Sequence, residues 1–129
     1  MLLHIPAVLD TTTLARCIDL IKQADWADGR VTAGSQAATV KNNRQLPEIS
    51  PVAQALRAIV LEALSKNPAF FSAALPRRIY PPLFNRYGDT ANAFGNHVDN
   101  AIRTHPPSAQ HVRTDLSFTL FLSHPKDYD

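Results

Sequence analysis

A histidine and an aspartate two positions apart, His97 and Asp99, are the residues of this chain best suited to metal chemistry. On an extended segment, side chains at positions i and i+2 leave the same face, so this imidazole and this carboxylate can converge on one ion. Such a donor set suits Fe(II), and a site of two histidines and one carboxylate leaves positions open for a bidentate cosubstrate and for dioxygen. The spacing therefore favours two ligands of a ferrous site.

The same spacing also fits a structure without a metal. Five histidines and 11 acidic residues among 129 give roughly 0.4 chance occurrences of a histidine two positions before an acidic residue. Gly95 and Asn96, directly before the pair, favour a turn, which would make His97 a surface histidine and Asp99 a turn aspartate. The tripeptide alone leaves both interpretations open.

Two amphipathic helices are predicted in the first half of the chain. The first covers residues 11–25, with Asp10, Thr11 or Thr12 as its cap, and its apolar stripe recurs at helical spacing. Cys17 lies on that stripe, which predicts a packed core thiol rather than a reactive one. The second begins at Ser50-Pro51, an N-cap followed by proline at the first helical position, and ends near Asn67-Pro68.

Strands are predicted to replace helices beyond Pro68, where aromatic and β-branched residues are broken by prolines. Residues 114–123 alternate most regularly and give the strongest strand signal. Shorter extended segments are predicted at residues 2–5 and 31–33, and a surface loop that could act as a lid at residues 104–112. Helices first and strands afterwards indicate an α+β fold with helices packed on one face of a mostly antiparallel sheet.

Composition places few limits on function. A net charge of +2 is too balanced to indicate a polyanionic partner, so nucleic acid is not expected. The single cysteine excludes an intramolecular disulfide and a thiolate zinc cluster, which fits a reducing compartment. The apolar start lacks the basic flank of a signal peptide, and no apolar run is long enough to span a bilayer. We therefore expect a soluble, cytoplasmic protein without a membrane partner.

Four motifs, in order, carry a specific resemblance. They are Tyr80-Pro-Pro-Leu-Phe-Asn-Arg-Tyr87, Phe94-Gly-Asn-His-Val-Asp-Asn-Ala-Ile-Arg103, Val112-Arg-Thr-Asp-Leu-Ser-Phe-Thr-Leu-Phe-Leu-Ser123 and Pro125-Lys-Asp-Tyr-Asp129. Together they closely resemble the PKHD-type hydroxylases, a prolyl-4-hydroxylase-like branch of the Fe(II)- and 2-oxoglutarate-dependent dioxygenases. The match is closest to PiuC-like bacterial members and covers essentially the whole chain.

The resemblance implies a fold and a site. Residues 1–75 would form a helical support region and residues 76–129 the first part of a double-stranded β-helix, or jelly roll, in one structural unit. His97 and Asp99 resemble the first two iron ligands, and Tyr87 resembles a tyrosine directed toward the cosubstrate pocket. From its own residue type, Tyr87 could equally be a core aromatic with its hydroxyl at the surface. Asn96 and Asn100 are candidates to orient the ligands, although both also suit turns.

The implied reaction is hydroxylation of an unactivated C–H bond, coupled to decarboxylation of 2-oxoglutarate to succinate and carbon dioxide. Fe(II) and 2-oxoglutarate would be the cofactors and ascorbate the reductant, with an unidentified small molecule or peptide as substrate.

Members of the resembled family continue past the tyrosine-aspartate pair with Gly-Gly-Glu and with strands that supply a distal histidine ligand and a basic residue for 2-oxoglutarate. None of the other histidines, His4, His105, His111 and His124, is at that distal position, and each is expected at the surface. We therefore expect a truncated form that is inactive by itself and whose exposed strand edges favour association.

Two other classes of function remain open. One is a non-catalytic protein on the same fold that binds a metal or a small molecule. The other is a nucleic-acid binder, in which arginines interleaved with aromatic residues meet phosphates and bases. Its candidate residues are Arg77, Arg78, Arg86, Arg103 and Arg113, with Tyr80 and Phe84 nearby.

Overall fold

The computed structural model describes residues 1–33 and 35–127. Its α-helices are α1 (Thr11–Lys22), α2 (Ser35–Ala38), α3 (Pro51–Ser65) and α4 (Pro68–Ala74). Its strands are β1 (Ala27–Asp28), β2 (Lys41–Asn42), β3 (Arg44–Gln45), β4 (Asn85–Arg86), β5 (Ala93–Phe94), β6 (Ile102–His105) and β7 (Gln110–Arg113). Short 3₁₀ helices cover Gly29–Thr32 and Pro125–Asp127.

The two long helices begin where their capping residues predict. The Asp10 carboxylate accepts a hydrogen bond from the Thr13 amide at 2.7 Å, and the Ser50 hydroxyl accepts one from the Ala53 amide at 3.1 Å. Each cap satisfies an amide that has no partner inside its own helix. Both helices are confirmed, although α1 ends at Lys22. None of the helices in the described ranges combines the length and the apolar character needed to cross a membrane.

The main core lies where α1 packs on α3. The side chain of Cys17 is 0% exposed there, which confirms the packed thiol. The apolar stripe of α3 supplies most of the other buried side chains, and Phe84 closes the cluster from the segment before β4. Burial of such side chains is the main favourable term in folding. The buried members are Cys17, Leu46, Ala53, Leu56, Ile59, Val60, Leu64 and Phe84.

The strands form small antiparallel sheets. One has the order β1-β3-β4, and two further pairs are β2-β5 and β6-β7. Helices together with antiparallel sheets confirm the α+β class. The jelly roll and the division at residues 75 and 76 stay predictions.

Several predicted elements differ in the structure. Residues 2–5 form no strand, and residues 31 and 32 belong to a 3₁₀ helix instead of an extended segment. Phe70 and Phe71 lie in α4 rather than in a strand, because Asn67 caps this helix through a 2.8 Å hydrogen bond from the Phe70 amide to its side-chain oxygen. The predicted loop at residues 104–112 is mostly the β6-β7 hairpin, whose turn covers residues 106–109.

The strand predicted at residues 114–123 is also wrong in the described chain. In the described residues, no strand pairs with this segment. The Thr114 amide donates a hydrogen bond to the Ala101 carbonyl at 2.9 Å, where the β6-β7 pairing ends. Leu120 and Leu122 pack against the core, and the Phe118 ring meets the Phe70 ring edge-on at 5.9 Å. An alternating pattern indicates a strand only when a neighbouring strand supplies the hydrogen bonds.

Candidate metal site

The predicted site follows β5, which is anchored to β2. Lys41 lies opposite Phe94 in this pair, and the Gly95 amide donates to the Val40 carbonyl at 3.0 Å. The Asn42 side chain ties the preceding turn to β2 by donating to the Thr90 carbonyl at 2.6 Å. These bonds fix the chain on which the next residues are carried.

His97 and Asp99 are brought together by the structure. The Nε2 atom of His97 lies 3.3 Å from the Oδ1 atom of Asp99, and their side chains are 26% and 68% exposed. The other ring nitrogen, Nδ1, lies 2.8 Å from the Gly95 carbonyl oxygen. Because a carbonyl oxygen only accepts hydrogen bonds, Nδ1 carries the proton in this contact.

This tautomer determines what Nε2 can do. With the proton of the neutral imidazole on Nδ1, the lone pair on Nε2 points toward a carboxylate oxygen. Two lone pairs facing each other at this distance are stabilised by a cation between or beside them, either a proton or a metal ion. Histidines that bind metals usually donate their second N–H to a carbonyl or a carboxylate, which is the contact that Gly95 makes.

An aromatic ring lies against the imidazole. The centroids of the Phe94 and His97 rings are 3.7 Å apart and the ring planes differ by 15°. This stack was not predicted from the sequence, because spacing does not show that the bend at Asn96 folds His97 back onto Phe94. The Lys41 ammonium lies 5.3 Å from the Phe94 centroid, within the range of a cation–π interaction.

Lys41 itself is unusually well buried for a lysine. The residue is 8% exposed, and its ammonium donates to the Gln45 side-chain oxygen at 3.1 Å. Burial lowers the pKa of Lys41, as does the charge of Arg103, whereas the Asp28 carboxylate acts in the opposite direction. The Arg103 guanidinium lies 4.4 Å from the Tyr80 ring centroid. A cationic and aromatic region thus borders the β2-β5 pair.

Tyr87 and the two asparagines are not connected to the pair. Tyr87 is 48% exposed, and within the described ranges no hydrogen bond or ring contact joins it to His97 or Asp99. In the same ranges, the Asn96 and Asn100 side chains make no hydrogen bond to either residue. The carbonyl of Gly95 takes the orienting role. Residue types do not indicate this role, because every residue has a backbone carbonyl.

Three of the other four histidines take part in local contacts. Nδ1 of His105 lies 2.8 Å from the Ser108 hydroxyl, Nδ1 of His111 lies 2.9 Å from the Thr104 hydroxyl, and Nδ1 of His124 accepts from the Lys126 amide at 3.1 Å. Across residues 1–33 and 35–127, no group of three histidine, cysteine or acidic side chains could hold a metal ion. Among the residues that the structure describes, two candidate ligands come together and no third joins them.

Most of the arginines considered for nucleic-acid binding have contacts within the chain. Arg78 donates to the His111 carbonyl at 3.2 Å, Arg103 lies over Tyr80, and Arg113 pairs with Asp115 at 2.9 Å. Arg86 lies opposite Arg44 in the sheet. These arginines are spread over several elements, and nucleic-acid binding stays an untested alternative.

Known proteins similar to this chain are named hydroxylases. No protein-family model matches the chain. Curated proteins named PKHD-type hydroxylase match it along its whole length at 52–57% identity, which confirms the resemblance carried by the motifs. One from Burkholderia thailandensis is 54% identical over 129 residues, and the chain covers 56% of it.

Two further relatives agree. A PKHD-type hydroxylase of Xanthomonas campestris pv. campestris strain B100 is 57% identical over 131 residues, and one of Beijerinckia indica is 54% identical over 129 residues. Each alignment covers all of this chain and 57% of the relative. The chain thus spans little more than half the length of the curated relatives it matches.

Proposed function

We propose that this chain is part of an Fe(II)- and 2-oxoglutarate-dependent hydroxylase and supplies two iron ligands, His97 and Asp99. The observation that carries the proposal is the contact of 3.3 Å between Nε2 and Oδ1, with Nδ1 occupied by the Gly95 carbonyl. The names of the relatives support hydroxylase chemistry. The dependence on iron and 2-oxoglutarate rests on the donor set and on the motif resemblance.

The donor atoms fit a ferrous ion. An imidazole nitrogen and a carboxylate oxygen are the ligand types of the facial site found in non-haem iron oxygenases. When bound, iron and 2-oxoglutarate would supply the oxidising chemistry that replaces a C–H bond by C–OH, with succinate and carbon dioxide as coproducts. The chain itself contributes binding and orientation.

Each residue of the site then has a defined task. Asp99 contributes negative charge, which offsets part of the charge of a divalent ion, and His97 contributes a neutral nitrogen. The Gly95 carbonyl keeps the proton on Nδ1, so Nε2 stays available as a ligand. Tyr87 is proposed to face the cosubstrate, and the primary substrate is a small molecule or a peptide. A third ligand and a basic residue for 2-oxoglutarate are proposed to lie outside the 129 residues.

Metal binding tests the ligand assignment directly. We expect the purified chain to bind Mn(II), used as a paramagnetic substitute for Fe(II), weakly and with one site, measured by the loss of the free-ion signal in electron paramagnetic resonance. His97→Ala and Asp99→Ala should each weaken binding by at least roughly tenfold, since even an orienting partner of a ligand contributes that much. His111→Ala removes a histidine from the β6-β7 hairpin and is the matched control. Equal affinity of all four proteins would contradict the assignment.

Turnover tests the reaction class. The 129-residue chain alone should not release carbon dioxide from 2-oxoglutarate with Fe(II) and ascorbate, because two protein ligands do not complete the site. A form extended to the length of the relatives should do so, and His97→Ala in that form should not. A full-length form that keeps its iron and its turnover after His97 and Asp99 are both replaced by alanine would show that the site lies elsewhere.

A further inference from the structure

We propose that Phe94 is a positioning residue for the His97 imidazole and that Lys41 holds Phe94 in place. This inference rests on the proposed function, because it assigns these residues to the orientation of an iron ligand. Neither acts on the substrate directly. Their role is to keep Nε2 of His97 directed toward the position it shares with Asp99.

The geometry constrains the imidazole from two sides. The hydrogen bond from Nδ1 to the Gly95 carbonyl fixes one edge of the ring but leaves rotation about that contact free. The Phe94 ring, with its centroid 3.7 Å from that of the imidazole and its plane tilted by 15°, restricts this rotation because the stacked contact favours a nearly parallel imidazole. With edge and plane both restrained, the direction of the Nε2 lone pair is restrained as well.

Phe94 is in turn held by β2. Lys41 lies directly opposite it in the antiparallel pair, and the Lys41 ammonium lies 5.3 Å from the Phe94 centroid. Lys41 is buried, and its ammonium donates a hydrogen bond to the Gln45 side-chain oxygen at 3.1 Å. The ammonium therefore has little freedom to move away from the Phe94 ring. The order of support therefore runs from Gln45 through Lys41 and Phe94 to His97.

A purely structural role accounts less well for Phe94. The ring is only partly buried, and Phe94 belongs neither to the main core cluster nor to the partly buried side chains packed against it. In the part of the chain that the structure describes, its ring contacts are the stack on His97 and the Lys41 ammonium. A phenylalanine that stacks on a metal-ligand candidate outside the main core is expected to affect the ligand more than the fold.

The test uses the metal-free chain first. A proton above an aromatic ring is shielded, so the carbon-bound ring protons of His97 should resonate upfield of those of His4, His111 and His124 in the NMR spectrum. His105 is not a reference, because its ring meets the Tyr80 ring edge-on at 6.1 Å. His97→Gln assigns these signals. Phe94→Leu should remove the upfield shift, and Phe94→Tyr should keep it. Phe118→Leu, which removes a ring that meets Phe70 edge-on, is the control that should leave it unchanged.

The second measurement is Mn(II) affinity. Phe94→Leu should weaken Mn(II) binding by roughly tenfold, as expected for loss of a group that orients a ligand. Phe94→Tyr keeps the stacked ring and should bind Mn(II) as wild type does. Lys41→Met removes the ammonium but leaves both rings, so it should reduce the upfield shift and the affinity in part, and it tests the inference should Phe94→Leu fail to fold. An unchanged His97 spectrum and affinity in folded Phe94→Leu or Lys41→Met would overturn the inference. The shielding needs no metal, so a wild-type chain that shows it yet binds no Mn(II) would contradict only the proposed function.

Discussion

Gly95 lies so close to Val40 that a methyl group on its α-carbon would be only 3.1 Å from the Val40 Cβ atom. The two residues are also joined by the hydrogen bond from the Gly95 amide to the Val40 carbonyl at 3.0 Å. The backbone that presents a carbonyl to His97 is thus packed against Val40, the residue directly before β2. A larger residue at this position therefore requires Val40 to shift by a few tenths of an ångström.

We predict that Gly95→Ala destabilises the chain by about 1 kcal/mol, the lower range for overpacking, and weakens Mn(II) binding, because Val40 must yield and the carbonyl that orients His97 moves with it. Chemical denaturation and the Mn(II) titration measure the two effects. Gly88→Ala is the matched control, since an added methyl group there meets nothing within 4 Å. Its stability should stay within about 0.5 kcal/mol of wild type. An equal response of both variants would exclude a packing role for Gly95.

A second prediction concerns Asp28 at low pH. The pKa of this carboxyl is lowered from 3.8 to about 2, first by the side-chain hydrogen bonds from Arg30 and then by the Arg30 backbone amide. Between pH 3.8 and about pH 2, Asp28 binds more protons in the unfolded chain than in the folded one. The stabilising effect of the ionised Asp28 carboxylate is therefore present above pH 3.8 and is lost as the pH falls toward 2. NMR titration of Asp28 should give the low pKa, and Arg30→Gln should return it toward 3.8. An unchanged titration in that variant would rule out Arg30 as the cause.

The sequence predicted the elements whose signals are local. The caps at Asp10 and Ser50 and the apolar stripes of α1 and α3 determine where these helices begin and which face is buried. The burial of Cys17 followed from the same periodicity. These features depend on residues within a few positions of each other, so the chain specifies them without its distant parts.

Features that depend on distant partners were predicted less well. Residues 114–123 alternate like a strand but have no partner strand in the described ranges. Phe70 and Phe71 were expected in a strand and lie in α4, because Asn67 caps this helix. In the site, the spacing of His97 and Asp99 showed that they could converge, and the structure brings them together. The stack of Phe94 on His97 depends on the conformation of the two residues between them, which spacing alone does not determine.

Gly34, Tyr128 and Asp129 lie outside the described residues, and so does the end of the last motif.

A third prediction concerns the end of α4. Leu75 closes this helix in a left-handed conformation, with φ 41° and ψ 53°, and its side chain is 70% exposed. A residue with a β-carbon is strained in this region, whereas glycine adopts it freely. Leu75→Gly should therefore raise the free energy of unfolding by about 0.5 kcal/mol, because relief of strain exceeds the small loss of packing and the added freedom of the unfolded chain. Ala73→Gly, at the second-to-last residue of α4, should instead lower the free energy of unfolding by about 0.5 kcal/mol, the lower range for glycine in a helix. Denaturant titration of both variants decides, and a loss of stability in Leu75→Gly would contradict the strain argument.

The last prediction concerns Cys17, which is 0% exposed in the interface between α1 and α3. Burial raises the pKa of its thiol, and the nearby Arg16 charge lowers it by less. Because only the thiolate reacts with disulfide reagents, both the low thiolate fraction and the lack of access protect the sulfur. Labelling of the folded chain with a chromogenic disulfide should therefore be at least roughly a hundredfold slower than labelling of the denatured chain. Cys17→Ser buries a hydroxyl in an apolar site and should lower the free energy of unfolding by about 1–3 kcal/mol. Cys17→Val keeps the site apolar and should lower it by less. Fast labelling of the folded chain would mean that α1 separates from α3 readily, and the packed core would then not protect the thiol.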